Sequence, residues 1–83
     1  MYKGFPCPCC KYLTRSWLEH GTFEICPICL WEDDYAQSKQ PDLSGGANVV
    51  SLNQARLNFE QFGVSEEKYI GQNRMPNKDE HPI

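Results

Sequence analysis

Four cysteines are arranged as two Cys-x-x-Cys pairs, Cys7 with Cys10 and Cys26 with Cys29. Fifteen residues separate the pairs, which falls within the spacing of roughly 15 to 20 residues that is typical of two-knuckle zinc sites. Thiolate sulfur is a soft ligand, and Zn²⁺ accepts four such ligands in a tetrahedron. Since four protein ligands leave no position open for water or a substrate, the spacing predicts one structural, non-catalytic zinc ion.

Iron is the alternative metal, because tetrahedral sites made only of sulfur hold iron as well as zinc. With iron, the chain would be a rubredoxin-like electron carrier. The spacer between the two cysteine pairs of such proteins is usually longer than the one here. The sequence therefore favours Zn²⁺ as the cofactor and leaves iron as the second choice.

A fifth cysteine lies inside the first pair, in Cys7-Pro8-Cys9-Cys10. The x2 spacing favours Cys7 and Cys10 as ligands and leaves Cys9 as a free thiol, most simply a small, partly buried residue. A redox-active or metal-exchanging thiol and an intermolecular disulfide are the alternatives. Lys11 follows at a position where zinc knuckles often have glycine, and a positive φ there would cost about 1–2 kcal/mol.

Length and composition predict one small cytoplasmic domain over residues 1–83. A chain of this size buries too little surface to be stable from its core alone, so a metal staple is expected. The first residues contain no apolar stretch of the kind found in secretory signals, and no run is long enough for a membrane helix. The net charge of −3, without a basic cluster, argues against nucleic acid as the main partner.

Residues 5–31 form the predicted metal-binding half. Strand-forming residues at 12–14 and 22–25 are expected to pair as a short antiparallel hairpin, with the chain reversing at His20-Gly21. His20 is an alternative metal ligand but is better explained as an exposed turn residue. Four aromatic residues are expected in the core over this hairpin, unless an exposed tryptophan marks an interface: Tyr12, Trp17, Phe23 and Trp31.

Residues 51–70 form the predicted helical half. Ser51 and Gln54 make a capping box, and Gly63 is a left-handed stop, so the main helix should cover 51–62. One face of this helix carries the residues expected to pack on the hairpin, namely Leu52, Ala55, Phe59 and Phe62. A short second helix is expected after Ser65, and the polar tail at 71–83 is expected to be loop or partly disordered.

An acidic run, Trp31-Glu32-Asp33-Asp34, follows the second cysteine pair. It is the predicted partner-binding surface for a basic protein. The local alternative is that Asp34 caps a short turn through Gln37, while Glu32 or Asp33 pairs with an arginine (Arg15, Arg56 or Arg74). A second, hard-cation site is a third interpretation, but the oxygens lack the regular spacing of a calcium loop.

Several motifs together resemble those of the bacterial cysteine-rich CPCC family. They are Cys7-Pro8-Cys9-Cys10, Cys26-Pro27-Ile28-Cys29, Trp31-Glu32-Asp33-Asp34, Pro41-Asp42-Leu43-Ser44-Gly45-Gly46-Ala47-Asn48 and Ser51-Leu52-Asn53. The match covers residues 5–63 in the family's order, with Lys11 departing from the expected glycine. The resemblance implies a small bacterial zinc-binding domain and assigns it no activity.

These observations predict an α+β zinc-ribbon-like domain that is not an enzyme, because no catalytic constellation is visible. Its expected role is that of a protein-interaction module of the accessory or immunity type, with another protein as partner and no membrane. The remaining alternative is a ribbon that binds single-stranded nucleic acid by aromatic stacking. It would use Lys3, Lys11, Tyr12, Arg15 and Trp17.

Overall fold

The computed structural model describes residues 4–82. Within this range the regular elements are the strands β1 (Phe5–Pro6) and β2 (Leu13–Arg15), the helices α1 (Tyr35–Lys39) and α2 (Leu52–Phe62), and 3₁₀ turns at Glu67–Tyr69 and Lys78–Glu80. The predicted fold class is confirmed: a two-stranded antiparallel hairpin, one main helix, a short second helix and a group of four neighbouring cysteines. None of the helices in residues 4–82 has the length and apolar character needed to cross a membrane.

The hairpin does not join the segments predicted to pair. β1 pairs with β2, with Phe5 opposite Arg15 and an irregular register beside it. The strands therefore flank the first cysteine pair, and His20-Gly21 does not connect two strands of the sheet. Closing a short loop costs less entropy than closing a long one, so each Cys-x-x-Cys turn pairs the residues on its own two sides.

The second cysteine pair is flanked in the same way. Phe23 N donates to Asp33 O, and Asp33 N donates to Glu24 O, both at 2.9 Å. Ile25 and Glu32 form an isolated antiparallel bridge next to them. The segment predicted to complete the hairpin with residues 12–14 instead pairs with the acidic run that follows the second turn.

Helix α1 begins where the local interpretation of the acidic run predicts a turn. The Asp34 side chain caps it by accepting from Gln37 N at 3.1 Å. Gln37 is fully buried, and its Nε2 lies 3.1 Å from the carbonyl oxygens of Leu43, Asn48 and Val50, so its two N–H groups are shared among these three acceptors. This buried amide thereby provides hydrogen bonds to backbone carbonyl groups of the irregular segment at 43–50, which has no strand or helix hydrogen bonds to satisfy them.

Helix α2 matches the predicted boundaries. Ser51 Oγ accepts from Gln54 N at 3.1 Å, and Gly63 ends the helix in the left-handed conformation at φ 78°. The Gln54 side chain binds Asn58 Oδ1, so only the serine half of the predicted capping box is seen. Leu52 and Ala55 are buried, and Phe59 packs partly buried against the same core.

The core is centred on the cysteines. Of the ten buried apolar residues in the described chain, five are cysteines. The other members are Ile28, Trp31, Leu52, Ala55 and Val64. Since half of the buried apolar residues are cysteines, the interior depends on whatever holds these sulfurs together.

The chain after α2 folds back on the second cysteine pair. Ser65 does not cap a helix as predicted: its N–H donates to Cys29 O at 2.7 Å, and Glu66 precedes the first 3₁₀ turn without a side-chain cap. In the tail, Asn73 Nδ2 donates to Ile28 O at 2.8 Å, and Arg74 N donates to Pro27 O at 3.1 Å. These bonds attach residues 73 and 74 to the second cysteine turn, at the start of the tail that was predicted to be loop or partly disordered.

Candidate metal centre

The two Cys-x-x-Cys turns have the same backbone hydrogen bonds. In the first turn, Cys7 N donates to Tyr12 O at 2.9 Å, and Lys11 N donates to Cys7 O at 2.8 Å. The second turn repeats both bonds at the same sequence offsets, from Cys26 N to Trp31 O at 3.0 Å and from Leu30 N to Cys26 O at 2.8 Å. The sequence therefore folds twice into one motif, and the two copies present their cysteines to each other.

The residue after each cysteine pair has a left-handed backbone. Lys11 lies at φ 72° and Leu30 at φ 67°, a region that costs a residue with a Cβ about 1–2 kcal/mol. The sequence analysis anticipated the positive φ at Lys11, because zinc knuckles often have glycine there. It did not anticipate the positive φ at Leu30, which occupies the equivalent position of the second turn.

The four paired cysteines converge on one point. All their Sγ atoms lie within 4.8 Å of one another, and all four residues are buried. The closest contacts cross between the turns, with 3.6 Å from Cys7 Sγ to Cys29 Sγ and 3.7 Å from Cys10 Sγ to Cys26 Sγ. A tetrahedron with Zn–S bonds of about 2.3 Å has sulfur–sulfur edges of about 3.8 Å. The donor set and its spacing therefore fit a tetrahedral thiolate-bound metal ion.

Hydrogen bonding within the cluster shifts the pKa values of the four cysteines in opposite directions. Hydrogen bonding with Cys10 lowers the pKa of Cys7 and, together with Cys29 and Cys7, lowers that of Cys26. The pKa of Cys10 is raised chiefly by hydrogen bonding with Cys26, and that of Cys29 chiefly by hydrogen bonding with Cys10 and Cys26. Each close sulfur–sulfur contact thus joins a cysteine with a lowered pKa to one with a raised pKa. Metal binding requires thiolates, so an ion bound by all four cysteines would release the protons that the cluster holds.

Thr14 supports the cluster from strand β2. Its Oγ1 donates to Cys26 Sγ at 3.1 Å, and this bond contributes to the lowered pKa of Cys26. A hydrogen bond to a ligand sulfur orients the ligand and stabilises its negative charge. No sequence signal singles out Thr14 for this role, because it depends on how the two turns face each other.

Cys9 is buried, with 4% of its surface exposed. It is a free cysteine that does not belong to the four-sulfur group. Intermolecular disulfides and oxidation reactions require an accessible sulfur. The structure therefore favours the simplest interpretation of Cys9, a small residue that fills space beside the four-sulfur group.

The acidic run is only partly a surface, and here the prediction needs correction. Trp31 and Asp33 have 1% and 2% of their surface exposed, so neither can contact a partner in the folded protein. Trp31 packs in the cysteine-centred core, as predicted for the aromatic residues of this half of the chain. Glu32 and Asp34 are half-buried, and Asp34 is committed to capping α1 and to accepting from Ala47 N at 2.9 Å.

The buried Asp33 side chain holds the loop at 16–24 in place. Its Oδ2 accepts from Gly21 N at 2.7 Å, from Thr22 N at 3.0 Å and from Arg15 Nη2 at 3.2 Å. His20 Nδ1 lies 3.1 Å from Asp33 Oδ1. The sequence indicated that Arg15 was one possible partner, but the role of Asp33 as an internal clamp depends on long-range contacts.

Asp33, His20 and Ser38 do not form a catalytic triad, although the residue types are suggestive. Both Asp33 Oδ1 and Ser38 Oγ contact the same ring nitrogen, His20 Nδ1, at 3.1 and 3.3 Å. In a Ser-His-Asp triad the carboxylate and the hydroxyl bind opposite nitrogens of the ring. His20 is also absent from the four-sulfur group, so its alternative role as a metal ligand is wrong.

Two of the four aromatic residues predicted in the core are exposed. Trp17 and Phe23 have 59% and 58% of their surface exposed, and Leu18 beside Trp17 has 65%. Phe23 also has a positive φ of 58°. Tyr12 is half-buried and meets Phe59 edge to face, with 6.3 Å between ring centroids. The pattern of strand-forming residues could not reveal that the loop at 16–24 carries its large side chains outwards.

Residues 5–80 match the family model described as "Cysteine-rich CPCC". No curated protein matches the chain. The motifs that resembled this family lie at residues 5–63, and the match continues into the tail, as far as the second 3₁₀ turn. Since it includes both cysteine turns, the irregular segment and the main helix, the chain belongs to the cysteine-rich CPCC family.

Proposed function

We propose that this protein is a non-enzymatic interaction module in which one Zn²⁺, bound by Cys7, Cys10, Cys26 and Cys29, holds the binding surface in place. The observation that carries the proposal is the pairing of a closed, buried four-sulfur site with a rigidly held loop of exposed apolar residues. Four protein ligands leave a metal without an open position for substrate. The metal's contribution is then to structure and not to chemistry.

The loop at 16–24 is held in place on both sides. Both Glu24 carboxylate oxygens accept from Ser16 N, at 2.9 and 3.1 Å, and Asp33 accepts from Gly21 N and Thr22 N. A preorganised loop loses little conformational entropy on binding, so more of its contact energy contributes to affinity. An exposed tryptophan on such a loop is a typical anchor of a protein interface.

Phe23 adds a second argument for this loop. An aromatic residue in the left-handed region stores backbone strain of about 1–3 kcal/mol, and its 58% exposed ring recovers little of this by packing. Strain of this kind concentrates at functional positions. Phe23 is therefore, with Trp17, the residue most expected to gain contacts in a complex.

Charge indicates the nature of the partner. No lysine or arginine occurs between residues 16 and 38, while five carboxylates do, of which Asp33 is buried against Arg15 and the other four are at least partly exposed. This surface would repel phosphate, anionic lipid and a second copy of itself, and would attract a basic protein. Arg15, which the nucleic-acid alternative requires, is buried in its ion pair, and Lys3 lies outside the described residues. A small acidic accessory protein in a reducing compartment, of the immunity type or another, is the corresponding cellular role.

Metal analysis is the first test, because tetrahedral sulfur also suits iron. One zinc per chain in protein made without added metal supports the proposal. One iron, with visible absorption and reversible one-electron reduction, would replace it with electron transfer.

The interaction role is tested with paired exposed residues. We expect affinity capture to retain a basic protein on the zinc-loaded chain, and the complex to be reconstituted from the two purified proteins. Trp17→Ser and Phe23→Ser should each weaken this complex about tenfold or more, as interface anchors do. Leu57→Ser is the matched control, since Leu57 is 59% exposed on α2. Equal affinity for all three variants would rule out the loop as the interface.

A further inference from the structure

A cleft of about 240 Å³ lies beside the second cysteine turn, away from the metal ligands themselves. Its walls come from three parts of the chain, namely Ile25, Leu30 and Glu32 around the turn, Asn48 from the irregular segment, and Tyr69 and Gln72 after α2. Typical small-molecule sites have volumes of about 300–1,000 Å³. This cleft is below that range and has room for about one large side chain.

Glu32 provides the charge in this cleft. Asn48 fixes its backbone on both sides, with Asn48 Oδ1 accepting from Glu32 N at 2.9 Å and Asn48 Nδ2 donating to Glu32 O at 2.8 Å. Among residues 4–82 no hydrogen bond or ion pair reaches its carboxylate. The neighbouring Asp33 and Asp34 carboxylates are both engaged inside the protein. Glu32 is thus the one member of the acidic run whose charge is left for a partner.

Tyr69 forms an aromatic wall that already attracts a cation. Lys68 Nζ lies 5.3 Å from the centroid of its ring, a distance at which the ring attracts positive charge. That ammonium is also 3.4 Å from Glu66 Oε1. Because Glu66 balances the charge of Lys68, the protein's own cation leaves the Glu32 carboxylate unpaired.

Apolar walls complete the recognition chemistry. Ile25, 55% exposed, and Leu30 offer surface for the methylene stem of a long basic side chain, whose charged end would reach Glu32. A guanidinium group is planar, pairs with a carboxylate through two N–H groups and stacks on an aromatic ring. An ammonium group offers none of this planarity. The combination of Glu32 with Tyr69 therefore favours arginine over lysine.

We propose that this cleft receives one arginine side chain of the basic partner protein. This inference rests on the proposed function and locates the charged part of that interface at Glu32. Ile25 and Leu30, on either side of the second cysteine turn, form the apolar walls of the cleft. A second copy of this chain is a poor occupant because its own surface is acidic at the same place. Anionic ligands are excluded by the unpaired carboxylate.

The test is a titration of the isotope-labelled, zinc-loaded protein with N-acetyl-arginine amide, followed by amide NMR shifts. We expect saturable shifts at Ile25, Leu30 and Gln72. Glu32→Gln should weaken the binding by about fivefold, the contribution of one partly exposed ion pair. Glu60→Gln removes the same charge from the exposed side of α2 and should leave the affinity unchanged.

N-acetyl-norleucine amide is the matched uncharged ligand. Equal affinity for norleucine and arginine would overturn the assignment of a cation site. Shifts confined to residues 16–24, or an unchanged affinity in Glu32→Gln, would overturn the location. Tighter binding of free arginine than of the capped amide would identify a small-molecule site and contradict recognition of a protein.

The outcome separates this inference from the proposed function. A complex that Trp17→Ser weakens but Glu32→Gln leaves intact would keep the interaction module and remove the arginine cleft. In the converse outcome, arginine binds in a Glu32-dependent manner, but the Trp17 and Phe23 variants capture the same proteins as the wild type. That result would support the arginine cleft and contradict the interaction-module proposal.

Discussion

Arg15 and Asp33 form a buried ion pair, with 3.2 Å between Arg15 Nη2 and Asp33 Oδ2. Arg15 ends the strand that leaves the first cysteine turn, and Asp33 follows the second. Arg15 also donates to the carbonyl oxygens of Leu18 and Glu19. The pair therefore joins the two turns through side chains other than the four cysteines, and it holds the connecting loop between them.

Replacing Asp33 with asparagine should destabilise the zinc-loaded protein by about 3–5 kcal/mol, because it leaves the buried Arg15 guanidinium without its counter-charge. Chemical unfolding at neutral pH measures the change. Asp79→Asn is the matched control, since Asp79 is exposed and pairs with no cation in the described chain; it should change the unfolding free energy by less than about 0.5 kcal/mol. A loss below about 1 kcal/mol for Asp33→Asn would show that the pair is dispensable.

The pKa of Asp33 determines how this contribution varies with pH. Burial raises it, but hydrogen bonds from Thr22 N–H and His20, the Arg15 charge and the Gly21 N–H together lower it below its ordinary value. A depressed folded-state pKa stabilises the protein above the unfolded value of about 3.9 and ceases to do so as the pH falls through the folded value. We therefore expect the stability difference between wild type and Asp33→Asn to be constant from about pH 8 to pH 5.

Both proteins in this comparison should carry His20→Gln, so that the two proteins differ only at Asp33 and contain no imidazole beside it. Unfolding curves at several pH values then report the difference directly. Any general loss of stability towards pH 5 in both proteins comes from protonation of the metal's thiolate ligands. A difference that grows as the pH falls from 8 to 5 would mean that the pKa of Asp33 is raised instead of lowered.

Metal removal should unfold the protein. Structural zinc contributes about 10–16 kcal/mol in small domains, which is comparable to the whole stability of a domain of about 5–15 kcal/mol, and half of the buried apolar residues are cysteines. We expect a chelator to abolish the tertiary signal in near-ultraviolet circular dichroism. Cys29→Ser should lose tight metal binding, while Cys9→Ser should retain one ion per chain. Loss of the metal in Cys9→Ser would make Cys9 a ligand.

Local signals predicted most of this fold. The two cysteine pairs, Ser51 and Gly63 each act on a few neighbouring residues, and all are found as expected. The errors concern long-range pairing. Residues 22–25 pair across their own cysteine turn, and Asp33 reaches residues 11 to 18 positions away in the chain.

The sequence also failed to predict which individual side chains are buried and which are exposed. Strand-forming character does not distinguish a buried Trp31 from an exposed Trp17, because both are large, apolar and close to a turn. The acidic run illustrates the same point. Its three carboxylates are adjacent and chemically alike, yet that of Asp33 holds a loop and that of Asp34 caps a helix, while that of Glu32 has no partner within residues 4–82.

The left-handed position after each cysteine pair provides a matched test of stability and of the cleft. Lys11→Gly should stabilise the protein by about 0.5–1 kcal/mol. It removes about 1–2 kcal/mol of backbone strain from the folded state, but glycine also increases the conformational entropy of the unfolded chain, which offsets part of this gain. Lys11→Ala is the control, because alanine keeps the Cβ and the strain and should give no gain. Urea unfolding of the zinc-loaded proteins measures both.

Leu30→Gly relieves the same strain in the second turn but also removes a side chain from the cleft. Burying a leucine side chain contributes about 1.5–3 kcal/mol when complete, and Leu30 is half-buried, so we expect the two effects nearly to cancel in the unfolding free energy. Binding of N-acetyl-arginine amide should weaken in Leu30→Gly and stay unchanged in Lys11→Gly. A stability gain in Leu30→Gly equal to that in Lys11→Gly, with arginine binding intact, would show that the Leu30 side chain contributes neither packing nor a wall to the cleft.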